Sequence, residues 1–257
     1  MSNRFHRIRS LLKLMVAVKN PLPPLLDRLG LRTRPYRATL RDGAVFELRP
    51  GRGDWPSVNG AYLWNEYAPV GRPLSPGDRV IDIGANIGAF TILAARIVGP
   101  AGQVIAVEPA TDTFRQLERN LALNNLTNAI AKRTAVGETP GTASLHVAHN
   151  AVFTSLYREI AAQATSDRIE EVTIVTLDQL LEENGWNRCH FLKLDCEGAE
   201  HGIIRGMSAA TAAKIDQIGM ELHRVEGFDS AALIDKLKSF GFSVRNRAGL
   251  LCFWRER

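Results

Sequence analysis

From residue 79 onward, short apolar runs alternate with longer amphipathic ones, and this alternation limits the folds open to the chain more than any other feature. VIDI (80–83) precedes GAFTILAARIV (88–98), and QVIAVE (103–108) precedes TFRQLERNLALNN (113–125). With the strand-like AIAKRTAV (129–136), these make a βαβαβ unit, the signature of a doubly wound parallel sheet. TASLHV (142–147) and VFTSLY (152–157) read as short strands, and the polar stretch 158–171 as an exposed helix or mobile loop. VTIVTL leads into the helical DQLLEEN, HFLKLD (190–195) reads as a buried strand, and GAEHGIIRGM as a short helix. KIDQIGMEL (214–222) is another strand, DSAALIDKLKSFGF an amphipathic helix, and SVRNR with LLCFWRE a closing antiparallel hairpin.

In an open α/β sheet, ligands bind beyond the carboxyl ends of the strands. The first such end here is DIGANIG (82–88). A dinucleotide turn needs G-x-G-x-x-G so that backbone can approach a pyrophosphate, and Asn86 stands where the second glycine would be. Asp82, two residues before Gly84, also suits a diphosphate poorly, which disfavours a nicotinamide-dependent oxidoreductase. S-adenosylmethionine fits better, because it has no phosphate and carries an ammonium and a sulfonium against one carboxylate. Asp82 can serve the ammonium directly or through water, and Gly84 lets the chain pass close to the methionine portion. Asn86 can cap a helix beginning near Ile87, with Gly88 completing the turn. Glu108 ends the second strand, 24 residues beyond Gly84, where a carboxylate can accept from both ribose hydroxyls. The adenine then lies near the end of the third strand, against Val136.

The basic character of the chain is local. Residues 1–41 hold ten Lys or Arg and one acid, Asp27, leaving 22 of the 32 bases and 26 of the 27 acids for the rest. A globally nucleic-acid-binding surface is therefore not indicated. In NRFHRIRSLLKLMVAV, Leu11, Leu12, Leu14, Met15 and Val18 can share one helix face, either packed on the domain or turned to an anionic membrane or a partner. The apolar stretch is too short to span a bilayer, and Lys13 interrupts it without a small-residue cleavage site beyond, so a signal peptide is not expected. Asn20-Pro-Leu-Pro-Pro24 stops that helix. YRATL and AVFEL around Arg41-Asp42-Gly43 predict a β-hairpin, followed by a Gly- and aromatic-rich loop from Gly51 to Gly77. Cys189, Cys196 and Cys252 make no disulfide or metal framework, which points to reduced thiols and a reducing, cytoplasmic setting, peripheral to the membrane if the basic helix engages it. The expected organisation is a basic helical extension over 1–35, a hairpin and aromatic cap over 36–77, and the S-adenosylmethionine-binding domain over 78–257.

VIDIGANIGAFT (80–91), AVEP (106–109), RNLALNN (119–125), TAVGE (134–138), VTLDQL (175–180), FLKLDCEGAE (191–200) and MELH (220–223) together resemble the FkbM family of S-adenosylmethionine-dependent methyltransferases. The resemblance covers about residues 60–245 and leaves the extension before 35 outside. It implies an α/β, Rossmann-like class I methyltransferase fold: a doubly wound seven-stranded sheet with its last strand antiparallel, here behind a helical and hairpin extension. It also implies O-methylation of a hydroxyl, often on a sugar or natural product.

The residues of LKLDCEGAEHG carry a chemical reading of their own. The strand delivers Asp195 at its carboxyl end, while Glu197 and Glu200, three apart on the helix expected to follow, can face one region. Lys193 is expected to point away from Asp195. Glu221 and His223 end the next strand, plausibly an adjacent one, so two strand ends offer Asp195, Glu197, Glu200, Glu221 and His223 to one cleft. Methyl transfer to oxygen needs alignment and a base for the hydroxyl proton. His223 is the first candidate, because imidazole can be neutral near pH 7, and Asp195 the second. Carboxylates so grouped also suit a divalent metal, although none is assigned. Tyr62, Trp64, Glu66 and Tyr67 before the cofactor strand, and His149, Asn150, Ser155 and Tyr157 in the segment 146–171, are candidates to shape the acceptor pocket. The acceptor is expected to be a small molecule or glycan. A nucleic-acid methyltransferase would need phosphates beside these acids, and no Asn/Asp-Pro-Pro-aromatic sequence follows the fourth strand. A non-catalytic cofactor-binding protein held at a membrane by the basic helix is the remaining alternative.

Overall fold

The computed structural model describes residues 2–161, 166–247 and 249–255. The chain opens with helices α1 (Ser2–Ala17) and α2 (Leu22–Arg28), then the hairpin β1 (Tyr36–Thr39) and β2 (Val45–Leu48). A short helix α3 (Asp54–Ser57) runs directly into a π-helix, Val58–Trp64. The alternating region gives β3 (Arg79–Ile83), α4 (Ala89–Val98), β4 (Gln103–Val107), α5 (Thr111–Leu123) and β5 (Ala129–Lys132). There follow β6 (Ala135–Val136), β7 (Gly141–Ala148), a 3-10 turn Ala151–Phe153, α6 (Arg158–Ala161) and β8 (Ser166–Val175). The last third contains α7 (Leu177–Glu183), β9 (Phe191–Leu194), α8 (Glu200–Gly206), α9 (Ala209–Lys214), β10 (Gln217–Glu221), α10 (Ser230–Ser239), β11 (Ser243–Arg247) and β12 (Leu250–Trp254).

Seven strands form the central sheet in the order β5-β4-β3-β9-β10-β12-β11. β3, β4, β5, β9 and β10 run parallel, and β12, the last strand, lies antiparallel between β10 and β11. This is the class I methyltransferase sheet. The chain builds outward from β3 through β4 to β5, then returns to place β9 on the other side of β3. That reversal opens a crevice beyond the carboxyl ends of β3 and β9. Both strands are buried along almost their whole length, with Ile81, Ile83, Leu192 and Leu194 in one core. Each such side chain contributes roughly 1.5–3 kcal/mol relative to exposure.

The asparagine-rich RNLALNN stretch finds its physical reason in α5. Asn120 Oδ1 accepts from Glu47 N (2.8 Å) and Asn124 Oδ1 from Val45 N (3.0 Å), while Gln116 Nε2 donates to Glu47 O (2.9 Å) and Asn124 Nδ2 to Val45 O (2.7 Å). Helix side chains thus satisfy the edge of β2 that β1 leaves open, and the hairpin is fastened to the main sheet without a third strand. Phe46, Leu48, Trp55, Val58 and Tyr62 share a core with Phe90 and Ile92 of α4.

Four local expectations change. The stretch 20–24 ends α1 but opens α2, because Pro23 and Pro24 sit in a first helical turn, where their missing N–H costs nothing. The region 51–64 is largely helical: Trp55, Val58, Ala61 and Tyr62 bury one face, a periodicity masked in the sequence by Asn59 and Gly60. AIAKRTAV is two strands, because the chain leaves the central sheet after Lys132 and pairs again at Ala135 with β8. β6, β8 and β7 make a second, three-stranded sheet that the sequence reading lacks. Within it TASLHV lies in β7, whereas VFTSLY is not a strand and all of 166–175, whose first part was expected to be a helix or loop, is one, made by pairing with β7.

Candidate active site

Two adjoining clefts lie beyond β3 and β9. The first spans about 660 Å³, part of it open to solvent, and is lined by Glu108, Thr134, Val136, Ser155 and Leu156 among others. The second, about 1370 Å³, is lined by Glu66, Tyr67, Lys193, Glu221, His223 and Arg224 among others. Gly84, Asn86, Asp195 and Glu197 line both.

The turn after β3 sets this junction. Gly84 has φ +76°, and a Cβ there would stand 1.7 Å from the Asp195 carbonyl oxygen. Only glycine lets the two strand ends pass, so its requirement comes from the neighbouring strand and not from a ligand alone. Asn86 is left-handed (φ +50°), and its N–H donates to Glu108 Oε2 (3.0 Å). It does not cap α4, whose N-cap is the left-handed Gly88. Instead its Oδ1 is buried with no hydrogen-bond partner among the described residues, an acceptor that a bound ligand would satisfy. Glu108 also accepts from Ala110 N (3.0 Å); burial outweighs both N–H donors and pushes its pKa up to about 7. Val136 is buried in β6, on the wall of the first cleft.

Asp82 is fully buried and reaches the clefts only indirectly. Its carboxylate takes the Thr91 hydroxyl (2.6 Å) and pairs with the Lys193 ammonium (2.9 Å), and it lines neither cleft. Lys193 lies opposite Asp82 in the β3–β9 register. Lys193 also turns toward Asp195 (3.6 Å), contrary to the expectation from the sequence, because residues two apart in a strand share a face. Its Nζ donates to Gly84 O (2.9 Å) and sits 4.9 Å from the centre of the Tyr67 ring. Burial opposes this ammonium, but Asp82 and Asp195 raise its pKa above the usual lysine value. Tyr67 donates to Asp195 Oδ2 (2.8 Å) and Glu221 Oε2 (3.3 Å), closing a polar floor beneath the second cleft. Lys193 and Tyr67 carry more of the site than their sequence signals announce. The available clue was a lysine inside an otherwise apolar central strand.

Glu197 is not on a helix: it occupies a left-handed turn (φ +51°) before α8, which begins at Glu200. Glu200 is fully buried and accepts from Cys196 N (2.8 Å) and Gly198 N (2.9 Å), so it shapes this turn. His223 lies two residues past β10, with Nδ1 3.2 Å from Glu200 and Nε2 3.4 Å from Glu197. Burial opposes the imidazolium, but the Glu200 hydrogen bond and the charges of Glu200, Glu197 and Asp195 lift His223 to about 9. Burial, with Asp195, Glu200 and Glu221 adding to it against His223, pushes Glu197 up to about 8. The carboxyl groups around His223 thus favour its protonated form, with Glu200 as the nearest partner. Ligand atoms of Asp195, Glu197 and His223 all lie within 4.8 Å of one another. They could hold a divalent cation only after His223 gives up that proton.

Of the outer residues, Glu66 and Tyr67 reach the second cleft, and Ser155 the first, where its hydroxyl donates to Glu197 O (2.5 Å). Tyr62 packs on Phe46, Tyr157 on Phe228, and His149 lines a separate surface pocket.

A class I sheet with paired clefts at its reversal point is the architecture of an S-adenosylmethionine-dependent methyltransferase, and this chain is one. The family model described as the methyltransferase FkbM domain matches residues 82–244, and the chain belongs to that family. It is similar to Methyltransferase 1 of Beauveria bassiana, with 28% identity over 67% of this chain and 75% of that protein. It is also similar to the 31-O-demethyl-FK506 methyltransferase FkbM of Streptomyces tacrolimicus, with 27% identity over 69% of this chain and 77% of that one. Among solved structures, fibrillarin of Aeropyrum pernix with natively bound S-adenosyl-L-methionine superposes with a TM-score of 0.44 and 13% identity, over 86% of this chain and 93% of that one.

Proposed function

We propose that the chain methylates a hydroxyl of a polar small molecule or glycan, with the nucleoside of S-adenosylmethionine in the first cleft and the acceptor in the second. The observation that carries this reading is the set of residues common to both clefts, Gly84, Asn86, Asp195 and Glu197, which marks where a methyl group would pass. Glu108 is assigned to the ribose hydroxyls, Val136 to the adenine, and Asn86 Oδ1 to a donor on the cofactor. The cofactor supplies an electrophilic methyl whose leaving group is neutral, so no acid is needed. Asp195 and Glu197 orient the acceptor oxygen, and the Glu197–His223 pair takes its proton. Glu200 holds His223 in place. The carboxylates of the second cleft suit a hydroxyl-bearing acceptor and repel nucleic-acid phosphates.

The direct test is a panel of glycans, hydroxylated natural products and RNA incubated with S-adenosylmethionine, with products identified by mass spectrometry. Methylation of RNA alone, or at nitrogen or carbon alone, would contradict this reading. Glu108→Gln is expected to weaken cofactor affinity by about tenfold, the cost of one hydrogen bond to a charged group; unchanged affinity by calorimetry would remove Glu108 from the ribose. The pair must lose a proton before it can accept one. With Glu197 near 8 and His223 near 9, turnover is expected to rise with pH through that interval and level off above it. A kcat profile flat from pH 6 to 9 would separate the pair from the chemical step.

A further inference from the structure

Among the described residues, nine large apolar side chains stand exposed, and seven of them lie between positions 11 and 31. Along α1 and into the residue after it the split is by face: Ser10 and Leu14 on the helix and Val18 just past it, four apart, are buried, while Leu12 (59% exposed), Met15 and Val16 (70%) turn outward. Leu29 and Leu31 beyond α2 are exposed too, and an Arg28–Ser10 hydrogen bond (3.1 Å) ties α2 to α1. Several bases of this region are exposed as well: Arg9 on α1, Lys19 two residues past its end, and Arg34 and Arg41 beyond α2. The single acid of residues 1–41, Asp27, is occupied by the Tyr36 hydroxyl (2.8 Å) and Gly51 N (3.2 Å).

We propose that this face docks on an anionic lipid bilayer, with α1 lying in the headgroup plane. Its aliphatic side chains would enter the acyl boundary and its cations would meet lipid phosphates. A second copy of the chain is the poorer occupant, because it would bring ten further bases and one acid against the same charge. No helix among the described residues is long and apolar enough to cross a membrane, so the contact is one of lying on the surface. α1 is also held to the catalytic body: Lys13 Nζ sits 3.9 Å from the centre of the Trp64 ring, at the end of the π-helix whose Ala61 lines the second cleft. Docking would therefore hold the π-helix that lines the second cleft one helix away from the bilayer. This inference does not depend on which acceptor is methylated.

The test is co-sedimentation of the full chain with phosphatidylcholine vesicles, with and without phosphatidylglycerol. Binding is expected only to the anionic vesicles, and to weaken as salt rises. Leu12→Gln with Val16→Gln is expected to lower partitioning by about tenfold or more, with an unchanged thermal unfolding midpoint because both side chains are exposed. Lys19→Glu and Arg34→Glu should each lower it by about fivefold or more. No binding to either vesicle, or equal binding to both, overturns the proposal. So does a dimer in sedimentation velocity that Leu12→Gln with Val16→Gln dissociates in a chain that ignores lipid.

Discussion

Asp82→Ala is expected to cost the fold about 3–5 kcal/mol, the range for removing one partner of a buried ion pair. Asp82 is fully enclosed and Lys193 only 3% exposed, so the substitution strands an ammonium between two central strands. Asp195, at 3.6 Å and shared with Tyr67, is a poorer partner, and the Thr91 hydroxyl also loses its acceptor. The loss should appear as a lower denaturant midpoint with an unchanged slope. Adding Lys193→Met should restore most of it, because an apolar side chain of similar length removes the unpaired ammonium. An Asp82→Ala protein with the wild-type midpoint and weaker cofactor binding would return Asp82 to direct ligand contact.

His223→Gln is expected to lower turnover by about 10²–10⁴, the usual contribution of a positioned proton acceptor, while cofactor affinity stays within about threefold. The side chain lines the second cleft and not the first, which is why binding and chemistry separate. Glu197→Gln should lower turnover over the same range, and the double variant should be little worse than either single one, since the two groups hold the proton together. The rising limb of the pH profile should vanish in both single variants. Wild-type turnover in His223→Gln, measured with saturating cofactor, would remove the imidazole from proton transfer.

Much of this architecture was readable along the chain. The parallel sheet follows from VIDI, QVIAVE and FLKL, each too apolar for a strand with a solvated face. The bend after Asp82 follows from two glycines flanking an asparagine, residue types that tolerate the left-handed backbone found at all three positions. The second sheet escaped because β8 mixes Arg, Glu, Thr and Ile without clean alternation, and only pairing with β7 makes it a strand. The helix at 54–64 escaped because Pro56, Asn59 and Gly60 hide its buried face.

Periodicity and turn chemistry are local properties, so the sequence by itself determined the class of sheet, the position of the turn that opens the crevice, and the acids delivered to it. Roles within the crevice depend on groups far apart in the chain meeting where dielectric is low. Lys193 meets Asp82, and Tyr67 meets Asp195, only after the sheet has assembled. The same assembly sets His223 between Glu197 and Glu200, whose carboxyl groups push its pKa up to about 9. Proton affinity and pairing are set by distance and burial in three dimensions, and only the tertiary structure decided them.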